Sequence, residues 1–186
     1  MDKVTGTHTA ENNGKFQTDR AWESCITMTK CKEGGGWSYR PDGTTISYKE
    51  AIHTLVNTVT GGGNLLLNVG PLPTGEFPAD QVTILKKMGK WLKKNGESIY
   101  GTRGGPLQNG EWGGVTQKGN KIYVHVLSWP KDGSSLMLAP LEDKIISSKG
   151  LNVKNPVVRQ TFAGVEIKLA PKYRNEIDSI IVLETE

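Results

Sequence analysis

The amino-acid sequence predicts an α/β segment followed by an all-β segment, and three observations carry this prediction. Residues up to about 105 alternate strand-like and helix-like stretches. Beyond that point only short strands occur, separated by turn residues at a spacing of about 8–12 residues, which is typical of an antiparallel β-sandwich. Between the two, Gly101–Pro106 contains three glycines and a proline and is predicted to be a linker or a tight connection. The predicted domains are therefore residues 1–105 and 106–186.

The first predicted strand follows a polar stretch, residues 1–20, which is expected to be loop or disorder. In Trp22–Met28 the side chains alternate between the two faces of a strand. Glu23 then shares a face with the small residues Cys25 and Thr27, an arrangement that leaves room for a ligand. The glycine-rich stretch Lys32–Thr45 is predicted to be a loop, and it carries Trp37 and Tyr39.

Two helices and a strand complete the α/β segment. Ser47 and Glu50 form an S-x-x-E capping box, and the apolar stripe that follows predicts a helix from Ser47 to Thr60. Leu65–Val69 is predicted to be a strand buried on both faces, as in a parallel sheet that is covered by helices. A second helix is predicted from about Pro78 to Asn95-Gly96, where glycine favours termination. Its predicted apolar stripe is Val82, Leu85, Met88 and Leu92.

The opposite face of this second helix carries five lysines, namely Lys86, Lys87, Lys90, Lys93 and Lys94. No arginine and no set of aromatic residues accompanies them, as base stacking in a nucleic-acid site would require. Cations near a helix C-terminus are also favoured by the macrodipole. The lysine face is therefore interpreted as solvated, and no nucleic-acid partner is expected.

The all-β segment is predicted from six short apolar stretches, which are Ile122–Leu127, Ser135–Leu138, Lys144–Ser147, Val157–Gln160, Val165–Leu169 and Ile177–Leu183. Turn pairs such as Gly-Asn, Asp-Gly and Ala-Gly separate them. Within the first stretch, His125 is expected to be a partly exposed strand residue without a catalytic role.

Composition excludes several classes of protein. The chain has 23 basic and 19 acidic residues, a net charge of +4 that favours no particular partner. Its apolar runs are far shorter than the roughly 18–20 residues that cross a bilayer, so no membrane partner is expected. The first 25 residues contain no signal-peptide core, and localisation is left unassigned.

Cys25 and Cys31 lack nearby histidines and are expected to be buried or free thiols, and His8, His53 and His125 share no ligand spacing. No metal or cofactor is predicted.

The size of the α/β segment leaves two folds open. A closed eight-stranded (β/α) barrel needs about 250 residues, which residues 1–105 cannot supply. The segment is therefore either a small open α/β layer or the last two or three units of a larger barrel.

Several ordered motifs resemble a known family. They are GGGNLLLNVGP, then P-x-G-x-F-P and GxWLxxNGExIYGT, preceded by WESCITM and a GWSY element. Together these motifs resemble the end of the catalytic barrel of the α-L-fucosidases, glycoside hydrolase family 29. Residues from EWGGVTQKGN to IDSIIVLE resemble the C-terminal β-sandwich of that family. The resemblance covers nearly the whole chain from about Thr5, and it implies a partial (β/α) barrel segment followed by an antiparallel β-sandwich.

The resemblance implies a retaining glycosidase that releases terminal α-L-fucose from a fucosylated oligosaccharide or glycoconjugate, without a cofactor or a metal. It places the acid/base on Glu23, within the WESC segment. It also places an aromatic contact to the sugar on Trp37 and Tyr39, whose ring faces would suit the methyl group of fucose. Arg40 and Asp42 are weaker candidates for the site. Many members of the family are secreted or periplasmic.

One departure from the family pattern is large, because the Asp nucleophile motif of an earlier barrel strand is absent from this sequence. The chain is expected to correspond to the C-terminal 40 % or so of a family member, with weak activity or none by itself. Two alternatives remain open, a non-catalytic glycan-binding module and a self-associating structural fragment. Because Leu65–Val69 would leave a strand edge unpaired, a homo-oligomer with contacts within residues 20–100 is expected.

Overall fold

The computed structural model describes residues 17–19, 21–31, 36–133 and 135–186. Most of the loop predicted over residues 1–20, and residues 32–35 of the loop predicted over Lys32–Thr45, lie outside the described residues. The described chain contains β1 (Glu23–Thr27), β2 (Thr29–Lys30), β3 (Thr44–Thr45), α1 (Tyr48–Thr60), β4 (Asn64–Asn68), α2 (Ala79–Asn95), β5 (Arg103–Gly104), β6 (Gly113–Lys118), β7 (Lys121–Val126), β8 (Leu136–Leu138), β9 (Ile145–Gly150), β10 (Val157–Thr161), β11 (Gly164–Lys168) and β12 (Ser179–Thr185).

Most strands lie in antiparallel sheets. The largest sheet has the order β5-β6-β7-β12-β9, and a second sheet has the order β10-β11-β8. The exception is the pair β1–β4, which is parallel and runs in register from Glu23 opposite Asn64 to Thr27 opposite Asn68. Strands β2 and β3 form a short antiparallel pair, and β2 follows β1 directly.

The five-stranded sheet is covered on both faces. On one side, Val124 and Ile181 pack with the inward-facing residues of the three-stranded sheet, such as Val165. On the other side, Tyr123 and Ile180 pack in the same core as apolar residues of α1 and α2. The α/β segment and the antiparallel sheets therefore share a hydrophobic core.

This second covering layer explains why the predicted partial exposure of His125 was wrong. The residue is fully buried, and its Nδ1 donates a hydrogen bond of 2.6 Å to Oδ2 of Asp178, which is also fully buried. Alternation along β7 assigns His125 to the face opposite Val124. The sequence pattern does not reveal that helices cover this face.

The first helix forms as its capping box predicts. The Ser47 hydroxyl accepts a hydrogen bond from the Glu50 backbone at 3.2 Å, and the Glu50 carboxylate accepts one from the Ser47 backbone at 2.8 Å. Lys30 on β2 also donates to the Glu50 carboxylate. The bonds from Lys30 and Ser47 lower the pKa of Glu50 to about 2.

The second helix spans Ala79–Asn95 and begins after Pro78, as predicted. Its buried stripe differs from the prediction and consists of Gln81, Met88, Trp91 and Asn95. Of the predicted stripe, Met88 is buried, while Val82, Leu85 and Leu92 are half-buried. All five lysines of this helix are exposed.

Two further predictions are corrected by the strand assignments. The strand predicted over Leu65–Val69 is not buried on both faces, since no residue of β4 is fully buried and Leu66 is 43 % exposed. Within the predicted linker Gly101–Pro106, Arg103 and Gly104 form β5 and pair with β6, so this stretch belongs to the five-stranded sheet. Strand β6 itself was missed.

Candidate functional site

The carboxyl ends of β1 and β4 form the first candidate site. Because the two strands are parallel and in register, Thr27 and Asn68 lie side by side at these ends. Active sites of parallel α/β folds lie at the carboxyl ends of their strands, where the loops that follow can converge. We use the name carboxyl-end site for Thr27, Asn68, Gly70 and the loop Gly36–Tyr39.

Hydrogen bonds tie the loop to both strands. The Asn68 side-chain amide donates to the Trp37 carbonyl at 2.9 Å and to the Thr27 hydroxyl at 3.3 Å. The Thr27 hydroxyl in turn donates to the Gly36 carbonyl at 2.6 Å. Two successive carbonyls of the loop are therefore held by side chains at the two strand ends.

Gly70 allows the loop to pack directly against the chain that leaves β4. A Cβ atom at this position would lie 2.8–2.9 Å from Ser38 backbone atoms and from the Tyr39 nitrogen. Gly36 meets a comparable constraint, since its φ is +96° and a Cβ there would lie 2.7 Å from the Thr29 carbonyl. The backbone of the loop is thus fixed by steric fit as well as by hydrogen bonds.

The held loop presents two aromatic side chains to solvent, Trp37 at 45 % exposure and Tyr39 at 36 %. Large apolar side chains with this exposure, on a backbone that is fixed, provide a preorganised contact surface. Arg40 follows and forms an ion pair of 3.2 Å with Asp42. The hydrogen bond from Arg40 lowers the pKa of Asp42, so this exposed carboxyl group is ionised and already paired.

A cavity of about 290 Å³ adjoins the loop, between Tyr39 and the N-terminal end of α2. Asp80 and Gln81 line it, and the Gln81 amide donates to the Thr29 hydroxyl at 3.1 Å. The Thr45 hydroxyl donates to Asp80 and lowers the pKa of that carboxyl group. Both acidic groups near the aromatic loop, Asp42 and Asp80, are therefore engaged as hydrogen-bonded anions.

Glu23 lies at the opposite end of β1, where it pairs with Asn64. Four residue steps along a strand separate its Cα from that of Thr27, which is about 13 Å. The Glu23 side chain is half-buried, on the face that it shares with Cys25 and Thr27 as the alternation predicts. The structure therefore brings Trp37 and Tyr39 together with Asn68 but does not bring Glu23 to them.

Two general findings bear on the chemistry of the described part of the chain. Within residues 17–19, 21–31, 36–133 and 135–186, no group of three or more His, Cys, Asp or Glu side chains is arranged to hold a metal ion. Among the same residues, no helix has the length and apolar character needed to span a membrane.

Comparison with known proteins identifies relatives for most of the chain. The family model described as Alpha-L-fucosidase matches residues 3–97. An alpha-L-fucosidase of Branchiostoma floridae is 32 % identical over 169 residues, which cover 78 % of this chain and 36 % of the relative. The human plasma alpha-L-fucosidase is 35 % identical over 127 residues, which cover 64 % of this chain and 26 % of the relative.

The fold is similar to solved structures as well. The alpha-fucosidase of Thermotoga maritima in complex with fucose aligns with a TM-score of 0.75 and 28 % identity, over 94 % of this chain and 41 % of that one. The chain thus spans between about a quarter and two fifths of the length of these relatives.

Proposed function

The chain belongs to the α-L-fucosidase family, and we propose from this membership and from the carboxyl-end site that it forms part of the fucose site of a retaining α-L-fucosidase. The substrate is a fucosylated oligosaccharide or glycoconjugate from which a terminal α-L-fucose is released. One observation carries the proposal, namely the hydrogen bond of 2.9 Å from Asn68 to the Trp37 carbonyl. It joins the NVGP motif to the aromatic loop at the strand ends where parallel α/β enzymes bind their substrates.

The proposed division of the chain follows from the same family membership. Residues 1–105 form a segment of a (β/α) barrel, in which β1–α1 and β4–α2 are two successive units. Residues 106–186 form a β-sandwich domain, whose five-stranded sheet also includes β5 from the end of the first segment. The parallel pairing of β1 with β4 supports the first part, and the two antiparallel sheets with a shared core support the second.

For the catalytic step we propose that the Trp37 and Tyr39 rings contact the apolar side of the fucose ring. A retaining mechanism also needs two carboxyl groups about 5–5.5 Å apart, one as nucleophile and one as acid/base. The WESC motif supports Glu23 as the acid/base. Its position at the amino end of β1, about 13 Å from Thr27 along the strand, counts against that role for a sugar held at the Gly36–Tyr39 loop, because a general acid must lie within hydrogen-bond reach of the glycosidic oxygen.

We also propose that the chain associates with itself through residues 20–100. Parallel strands are normally covered on both faces and continued at their edges. In the described residues the β1–β4 pair has no third strand, and Leu66 is 43 % exposed. Light scattering at micromolar concentration checks this proposal, and a mass of one 20.3 kDa chain would contradict it.

The proposed function is tested by L-fucose binding to the purified chain, measured by calorimetry. We expect saturable binding that falls at least tenfold in Trp37→Ala, because the largest apolar contact to the sugar is removed. Phe162→Ala is the matched control, since Phe162 is 98 % exposed on the turn between β10 and β11. Equal affinity in Trp37→Ala and Phe162→Ala would contradict the assignment, as would the absence of any binding to the unmodified chain.

A further inference from the structure

A buried polar cluster connects the end of α2 to the five-stranded sheet. It consists of His125 on β7, Asp178 directly before β12, and Ser98 in the 3₁₀ turn Gly96–Ser98 that follows α2. All three residues are fully buried. None of them belongs to the carboxyl-end site, so the cluster is separate from the proposed fucose site.

Both nitrogens of the His125 ring face oxygen atoms that accept hydrogen bonds. Nδ1 lies 2.6 Å from Oδ2 of Asp178, and Nε2 lies 3.4 Å from the carbonyl oxygen of Ser98. That carbonyl has no proton to donate, and it already accepts from the Thr116 hydroxyl at 2.7 Å. A neutral imidazole carries only one N–H group and would leave one of the two contacts without a proton. The geometry therefore favours two protons, one between Nδ1 and Oδ2 and one on Nε2.

The Asp178 carboxylate gives an independent reason for the second proton. Its Oδ1 atom is inaccessible to solvent and has no hydrogen-bond partner among the described residues. The His125 ring is therefore the group that stabilises this carboxylate. A buried carboxylate without a counter-charge is costly, because no water replaces the missing interactions. Loss of the second proton would leave one uncompensated negative charge in the core.

The neighbouring strand positions supply no other group that titrates near neutral pH. Opposite His125 lie Gly114 of β6 and Ile180 of β12. Tyr123 precedes His125 on the same face of β7, and burial together with the charge of Glu97 raises the pKa of its phenol above the ordinary value of 10. Tyr123 therefore keeps its proton between pH 6 and pH 9.

The other elements around the cluster contribute exposed charges and one histidine. Glu97 of the 3₁₀ turn, Glu176 of the loop before Asp178 and the lysines of α2 are exposed. His53 of α1 bonds the carbonyl of Ile177 through Nε2 at 2.8 Å, and no described residue bonds its Nδ1 atom. One N–H group satisfies His53, whereas His125 needs two. His53 is therefore the matched control for His125.

We propose that His125, Asp178 and Ser98 form a pH-sensitive latch, in which the His125–Asp178 pair holds two protons at neutral pH and fixes the end of α2 to the sheet. An unfolded histidine loses one of these protons above about pH 6.5. The folded chain then binds more protons than the unfolded chain. The contribution of the latch to stability is thus fully present below about pH 6.5 and is lost as the pH rises through the value at which the folded pair releases its second proton. The inference is independent of the fucosidase proposal.

The first test uses the unmodified full chain. Nuclear magnetic resonance of the ¹⁵N-labelled protein reports the protonation of each ring nitrogen of His125, assigned through its ring-to-backbone correlations. At pH 7.5 we expect two protonated ring nitrogens on His125 and one on His53. An unprotonated nitrogen on His125 at this pH would overturn the proposal. Because no substitution is made, this outcome does not depend on the folding of a variant.

The second test measures thermal unfolding between pH 6 and pH 9. The double variant His125→Gln/Asp178→Asn removes both titrating groups and keeps polar side chains at both positions. We expect the Tm difference between the unmodified chain and this variant to shrink by at least about 3 °C over that range. This shift corresponds to a tenfold preference of the folded pair for the proton, at about 1.4 kcal/mol per factor of ten and about 2–4 °C per kcal/mol.

The control variant His53→Gln should keep the pH dependence of the unmodified chain. A constant Tm difference between the unmodified chain and the double variant would overturn the latch. Loss of the pH dependence in His53→Gln would assign it to His53 and would equally overturn the proposal. If the double variant does not fold, the ring-nitrogen measurement on the unmodified chain decides.

Discussion

Replacing Asn68 by alanine should loosen the aromatic loop while leaving the sheet intact. The substitution removes the hydrogen bond of 2.9 Å to the Trp37 carbonyl and the longer one of 3.3 Å to Thr27. A hydrogen bond contributes about 0.5–1.5 kcal/mol net, and the Trp37 carbonyl lies near solvent, where water can replace the lost donor. The expected loss in the free energy of unfolding is therefore about 1 kcal/mol, or about 2–4 °C in Tm.

The same loss should appear in sugar binding, because a ligand that contacts Trp37 must then order the loop itself. At about 1.4 kcal/mol per factor of ten, an ordering cost of about 1 kcal/mol weakens L-fucose binding roughly fivefold. Asn68→Asp should weaken it further, since a carboxylate would face the Trp37 carbonyl in place of the amide donor. Thermal unfolding and calorimetric titration measure the two effects.

Asn64→Ala is the matched control for this prediction. Asn64 is the same residue type at the other end of the same strand, where its side chain is exposed. It should change neither the Tm nor the affinity for fucose by a measurable amount. If Asn68→Ala and Asn64→Ala behave alike in both measurements, the clamp between β4 and the aromatic loop has no energetic significance and the reasoning is refuted.

Four further predictions concern other parts of the chain. If Glu23 is the acid/base, Glu23→Gln lowers any fucosidase activity by about 10²–10⁴-fold, and azide restores activity to Glu23→Ala. Unchanged turnover of a chromogenic fucoside by Glu23→Gln would assign the role to another carboxyl group. The chain alone should show weak turnover or none, and a turnover number of about 1–10³ s⁻¹, free of contaminating enzyme, would contradict this. Gly70→Ala should displace the loop and lower the free energy of unfolding by about 1–3 kcal/mol, because the added Cβ would meet Ser38 and Tyr39 at 2.8–2.9 Å. At about 2–4 °C per kcal/mol, a Tm within 1 °C of that of the unmodified chain would exclude the clash. The pKa of Glu50 is lowered to about 2, so its contribution to stability is present above the unfolded pKa near 4.5 and is lost as the pH falls toward 2. The Tm difference between the unmodified chain and Glu50→Gln should therefore shrink over that pH range. A constant difference would contradict the assigned ion pair.

Local signals in the sequence predicted the helices better than they predicted burial. The capping box of Ser47 and Glu50 placed the start of α1, because both of its hydrogen bonds are made within four residues. The environment of His125 depends on helices that approach from distant parts of the chain, and no local pattern encodes this approach. Strand β6 was missed because it begins with Gly113 and Gly114, which weaken a strand pattern.

Close contacts around the start of β6 explain why glycine occupies positions 113 and 114. A Cβ on Gly114 would lie 2.6 Å from the Thr60 hydroxyl of α1, and a Cβ on Gly113 would lie 2.0 Å from the His125 carbonyl. The close packing of α1 and β7 around β6 therefore requires glycine where strand propensity alone disfavours it. Such a requirement is visible only once the elements are assembled.

For the candidate site, the sequence supplied the residues but not their arrangement. Trp37 and Tyr39 are predicted to lie in a loop, and the strand predicted over Leu65–Val69 contains Asn68 and ends just before Gly70. Asn68 and Gly70 hold the loop of Trp37 and Tyr39 in position. They can do so because β1 and β4 pair in parallel, which brings residues about 30 positions apart into contact. The separation of Glu23 from this cluster likewise depends on the direction of β1.

The location of bound L-fucose on the chain is the most direct measurement of the central claim. In a titration of the ¹⁵N-labelled chain, we predict saturable shifts of the Trp37 indole, the Tyr39 amide and the Asn68 side-chain amide. Residues at the amino ends of the strands, such as Asn64, should not shift with the same affinity. Shifts that are confined to the surroundings of Glu23 and Asn64, with none in the Gly36–Tyr39 loop, would contradict the assignment of the fucose site to the carboxyl ends of β1 and β4.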